Sequence, residues 1–103
     1  MKFLKELYLG QDVHHLLDLK WKIRHGAGVV GLYVIYLGHN TNKIEIIEAS
    51  FLKQKYLRKE VALVIGMTKS YDEAIQIVTR IVEEAISETG KADPSAFVLK
   101  KYS

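Results

Sequence analysis

The chain has 103 residues, a length that fits one domain, and its 49% hydrophobic and 26% charged residues are the mixture of a folded protein rather than a disordered one. It contains no cysteine, which excludes a disulfide framework, thiol catalysis and cysteine-ligated zinc and fits a reducing, cytoplasmic compartment. Its net charge of +3 is uneven: residues 1–69 hold 11 Lys/Arg against 6 Asp/Glu, and residues 70–103 hold 4 against 6, so an acidic partner is permitted by the first two thirds and not required.

Residues 2–9 read as a short strand ended by Gly10, and MKFLKELYLG mixes charge with apolar residues too closely for a signal peptide. QDVHHLLDLKWKIRHG then reads as a helix, with Asp12 as N-cap, Lys22, Arg24 and His25 favouring the negative end of its dipole, and Gly26 as the stop. One pattern opposes this. Leu17, Leu19, Trp21 and Ile23 alternate with charged residues at strand period, and the end signals decide for helix.

The longest uninterrupted apolar or glycine stretch follows, GAGVVGLYVIYLG. Its 13 residues fall short of the roughly 20 that a membrane-crossing helix needs, and its β-branched and aromatic content suits a buried strand. No membrane partner is therefore expected. VVGLYVIYLG and KIEIIEAS flank the turn formers HNTN and predict a hairpin. The first run is apolar at both phases, so both its faces should be covered. Ser50 is a candidate cap for a short helix over FLKQKYLR, and EVALVIGMT is a second strand apolar on both faces.

The clearest helix spans residues 71–89. Tyr71, Ala74, Ile75, Val78, Ile81, Val82, Ala85 and Ile86 form one stripe, and Gly90 ends it. After Asp93-Pro94, AFVLKKY reads as a last strand or a short helical tail. The sum is an α+β domain: a small two-layer mixed sheet of about four strands with two main helices. The order of GLYVIYLG, IEIIEAS, QKYLRK and VIGMTKSYDEAIQIV resembles a group of short bacterial proteins of unknown function. That resemblance implies a stand-alone bacterial protein and assigns no chemistry.

The stretch from Gly66 through Lys69 to Ser70 is a candidate anion site, because a strand, a glycine and a helix start make one in many α/β proteins. A P-loop ending at Lys69-Ser70 would need glycines at positions 63 and 68, which hold Leu63 and Thr68. Ser70-Tyr71-Asp72-Glu73 is instead a complete capping box, in which the Ser70 hydroxyl meets the Glu73 N–H and the Glu73 carboxylate reaches back to the Ser70 N–H. His14 and Asp18, one helical turn apart, are too few for a metal. Glu45 and Glu48 fall on opposite strand faces, and no serine has the G-x-S-x-G context of a nucleophile. No catalytic residue, metal or cofactor follows from these residues, which favours a protein that is not an enzyme.

Two basic clusters carry the remaining signal. Lys20, Lys22, Arg24, Lys53, Lys55, Arg58 and Lys59 are interleaved with Trp21 and Tyr56, the composition of a single-strand binder. The plainer reading makes Trp21 and Tyr56 core or half-core anchors and the lysines a solvated rim. Two strands apolar on both faces, with one long helix to cover them, point further to a homodimer. The sequence thus favours a self-associating or protein-interaction domain, with a nucleic-acid-binding accessory protein as the alternative.

Overall fold

The computed structural model describes residues 1–39 and 43–102. Strand β1 (Lys2–Leu9) is followed by helix α1 (Leu16–His25), then by the hairpin of β2 (Tyr33–Gly38) and β3 (Ile44–Glu48). A 3₁₀ segment (Ala49–Lys53) and helix α2 (Lys55–Glu60) lead into β4 (Val61–Thr68), and α3 (Tyr71–Thr89) and α4 (Pro94–Tyr102) follow. The strands form one sheet in the order β1-β4-β2-β3, with β1 parallel to β4 and the other pairs antiparallel, so the fold is α+β with a four-stranded mixed sheet.

The central strands β2 and β4 are buried almost throughout, as their two-sided apolar sequence predicts. On one face Leu4, Ile35, Leu37, Leu63 and Ile65 pack under α3 and α4. On the other, Val34, Tyr36, Val64 and Met67 pack under Ile23 of α1, Leu52 of the 3₁₀ segment and half-buried Leu57 of α2. The elements between β1 and β4 therefore cover the face that the sequence left open. Apolar surface available for self-association has to lie elsewhere.

Three local expectations are corrected. Asp12 does not cap α1. Gly10 N–H is held by the Met67 carbonyl at 2.9 Å at the end of β1, and the chain must turn before a helix can begin at Leu16, so the cap position falls to His15 in the left-handed region (φ 57°). Hence His14 lies outside the helix and shares no helical face with Asp18. Ser50 caps no helix either: the Ala49 N–H bonds Leu32 O at 2.8 Å, fixing the start of the 3₁₀ segment one residue earlier, and the Ser50 hydroxyl donates to Glu48. In α3 the buried stripe is Ala74, Ile77, Ile81 and Ala85, while Tyr71, Ile75 and Ile86 are exposed.

The helical reading of residues 17–23 holds, and Gly26 (φ 70°) closes α1 in the left-handed conformation that favours glycine. β2 and β3 pair from Tyr33 opposite Glu48 to Leu37 opposite Ile44. Of the predicted HNTN loop, residues 40–42 lie outside the described residues. The tail after Pro94 is helix, with Asp93 Oδ1 accepting from the Ala96 N–H at 3.2 Å.

Candidate functional site

Four places carry polar or exposed apolar groups that the core does not explain. The first is the junction between β4 and α3. Ser70 caps α3, its hydroxyl accepting from the Glu73 N–H at 3.4 Å. The Glu73 carboxylate does not return to the Ser70 N–H, as a reciprocal capping box requires. It accepts from the hydroxyl of buried Thr68 and from the Gln11 N–H at 3.3 Å, while the Ser70 N–H bonds Thr68 Oγ1 at 3.2 Å.

The residues singled out there for an anion are not gathered into a cradle. Gly66 lies inside β4 against the backbone of Tyr8, where an added Cβ would run into the Tyr8 carbonyl oxygen. Lys69 points into a different groove, shared with His14, His15 and Asp18. The positive end of α3 already faces the Glu73 carboxylate. What the arrangement does is tie the ends of β1, β4 and α3 together.

The second place is the face built by α1, the 3₁₀ segment and α2. Here the structure brings the two basic clusters together: the Arg58 guanidinium packs against Gly26 at the end of α1, and the Lys53 stem lies over Gly28. Lys20 and Arg24 stand over the Phe3 ring at 5.6 and 4.8 Å, Lys22 pairs with Asp18 at 3.0 Å, and Arg58 donates to the carbonyls of Leu52 and Lys53, both at 2.8 Å. Lys53, Lys55 and Lys59 are exposed. The expectation that Trp21 and Tyr56 anchor the core is overturned, since Trp21 is 57% and Tyr56 65% exposed. On α1 the buried side is Ile23 with half-buried Leu16 and Leu19, which turns Leu17, Trp21 and His25 outward. The Trp21 and His25 rings stack with centroids 4.4 Å apart.

The third place is a groove of about 550 Å³ between α3 and β3, lined chiefly by Tyr36, Ile44, Ile46, Tyr71, Ile75 and Val78. Sequence reasoning placed Tyr71, Ile75 and Val78 in the core stripe and so missed the groove. At about 100° per residue, the apolar positions of α3 from Ile77 round to Ile86 span roughly 180° of the helix, and the sheet beneath covers only the Ile77 side. The signal was the width of the stripe. Beside the groove the Tyr36 hydroxyl donates to its cross-strand neighbour Glu45 at 3.0 Å, and burial with that carboxylate pushes the phenol up to about 12.

A polar cluster on the opposite edge joins β1, α3 and α4. The Tyr8 hydroxyl donates to Glu84 at 2.6 Å and accepts from Lys101 at 2.9 Å. Burial, then the Glu84 bond, raises the Tyr8 pKa, and the Tyr8 bond raises that of Lys101. Among the described residues no group of three or more His, Asp and Glu is placed to hold a metal ion, and no helix is long and apolar enough to cross a membrane. No protein family, curated protein or solved structure matches the chain.

Proposed function

We propose that the protein is a bacterial, cytoplasmic, non-enzymatic interaction domain that works as a homodimer through β3 and the groove beside it. The observation that carries this reading is the uncovered apolar flank of α3, Tyr71 with Ile75, which continues into half-buried Val78 and lies next to a strand that ends the sheet. The bacterial origin rests on the sequence resemblance, and the compartment on the cysteine-free composition.

The occupant is a second copy because β3 is compatible with itself. A two-fold axis perpendicular to the sheet pairs only residues on the same strand face. Centred on Ile46, such an antiparallel pairing sets Ile44 opposite Glu48 and Glu45 opposite Ile47, with no two carboxylates facing. Centred on Glu45 it would oppose like charges, which is unfavourable. Both carboxylates already have donors within the chain, Tyr36 for Glu45 and Ser50 for Glu48, which lowers the cost of covering them.

Light scattering at micromolar concentration tests the reading. It should give twice the chain mass of 11.8 kDa, and Ile46→Lys should return a folded species at 11.8 kDa, because a lysine there puts charge on the groove face. A wild-type mass of 11.8 kDa refutes the dimer.

A further inference from the structure

We propose that the face built by α1, the 3₁₀ segment and α2 binds single-stranded nucleic acid, with Trp21 and Tyr56 stacking on bases and Lys53, Lys55 and Lys59 meeting phosphates. This stands apart from self-association, since it uses the opposite face of the sheet from the α3 groove.

The charge is segregated across the sheet. α1, the 3₁₀ segment and α2 carry seven Lys/Arg against two Asp/Glu, whereas α3 and α4 carry three against five. A polyanion therefore has one face to approach, and a net charge of +3 understates the local field. The cations also divide by what they already do. Arg58 is committed to the carbonyls of Leu52 and Lys53, which ties α2 to the 3₁₀ segment, and Lys22 is paired with Asp18 within α1. Lys53, Lys55 and Lys59 end in solvent, with no hydrogen-bond or ion-pair partner for their ammonium groups among the described residues. Lys20 and Arg24, lying over Phe3, extend the positive strip towards the N-terminus.

The rings decide the class of polyanion. A face that only attracted counterions would need no aromatic groups, yet Trp21 and Tyr56 are both more than half exposed among the lysines. Holding such rings in water is unfavourable unless something covers them. The His25 ring, bonded through Nδ1 to the Trp21 carbonyl at 2.8 Å, stacks on the indole and props it. Unpaired bases offer π-faces to such rings, while in a duplex the bases are stacked on each other and only phosphates would be met. The occupant that matches both the charge and the rings is a single strand.

The test uses the whole chain and a fluorescently labelled oligothymidylate. Anisotropy should show binding at about 50 mM salt, with log affinity falling against log salt at a slope of about −0.7 per phosphate met, hence about −2 for three lysines. Binding should quench the emission of Trp21, the one tryptophan of the chain. These two readouts need no variant. Tyr56→Ala and Trp21→Ala should each weaken binding about fivefold or more, the scale of losing one stacked base. Lys55→Glu with Lys59→Glu should weaken it further and flatten the salt slope. Ile46→Lys should leave binding intact, which separates this proposal from the dimer. Any of four results overturns it: no binding at low salt, duplex bound as tightly as the single strand, affinity indifferent to both ring variants, or equal binding of polyglutamate or anionic lipid vesicles.

Discussion

Replacing Glu73 tests the junction at which β1, β4 and α3 meet. Its carboxylate accepts from the Thr68 hydroxyl, which is fully buried, and from the exposed Gln11 N–H. It also sits in the first turn of α3. Glu73→Ala removes the acceptor of a buried hydroxyl, which costs about 1–3 kcal/mol. The low end applies, because the Thr68 hydroxyl also lies 3.4 Å from the Ser70 carbonyl and can turn to it. Losing the negative charge at the helix N-terminus adds about 0.3–1 kcal/mol. Together these give about 2 kcal/mol. With a urea slope of about 1–3 kcal/mol/M for a small protein, the midpoint should fall by about 1 M.

Glu73→Gln keeps an acceptor and loses only the charge, so it should cost about 1 kcal/mol or less. Glu83→Ala, on the exposed side of the same helix, should stay within about 0.5 kcal/mol. A double-mutant cycle with Thr68→Val isolates the pair. If Glu73→Ala unfolds at the wild-type midpoint, or if the cycle shows no coupling, the carboxylate is a solvated surface group and the junction is held by something else.

Gly66→Ala should cost about 3 kcal/mol, the top of the usual range for overpacking, since the new Cβ meets the Tyr8 carbonyl and the obstacle is backbone; a melt unchanged from wild type would contradict the close approach of β1 and β4. Ser70→Ala should lower stability by about 1 kcal/mol in the same melts through loss of the cap. Tyr36 predicts an alkaline limb. Its folded pKa of about 12 lies above the unfolded value of about 10, so its contribution is full below about pH 10 and is lost as pH rises towards 12. The unfolding free-energy difference between wild type and Tyr36→Phe should shrink over that window, and a difference that stays flat would reject the shift.

Much of the fold was legible because local signals agreed with one another. In α3 the Ser70 cap, the acidic first turn and Gly90 all mark the same segment, and the structure keeps those bounds. β2 and β4 were readable as central strands because both phases of each are apolar. α1 was harder to place. Its start depends on a tertiary bond from Gly10 to Met67, which no local cap signal encodes, and the strand-like alternation in residues 17–24 came from exposed Leu17 and Trp21 on what is a helix. The reach of Glu73 to Thr68 instead of to Ser70 has the same origin: β1 and β4 pair in parallel across more than fifty residues of chain, and their meeting brings a buried hydroxyl within reach of the carboxylate.

The groove beside α3 was hidden, and the exposure of Trp21 and Tyr56 was discounted, for one shared physical reason. Apolar side chains were assigned to the core by type, yet a four-stranded sheet can cover only part of a helix. α3 has about half its circumference apolar and buries the Ile77 side, which leaves Tyr71, Ile75 and Val78 facing β3. α1 buries Ile23 and turns Trp21 outward. The excess differs in chemistry between the two faces. Beside α3 it is aliphatic with one tyrosine and borders an open strand edge, the material of a packed protein interface. On the α1 and α2 side it includes two aromatic rings, Trp21 and Tyr56, set among lysines, the material of base stacking and phosphate contact. The sheet separates the two surfaces, and a two-fold axis perpendicular to it at Ile46 would bring both basic faces to the same side. If both proposals hold, a dimer should then bind a strand long enough to span its two faces more tightly than one that fills a single face, and Ile46→Lys should abolish that gain without changing the affinity for the shorter strand.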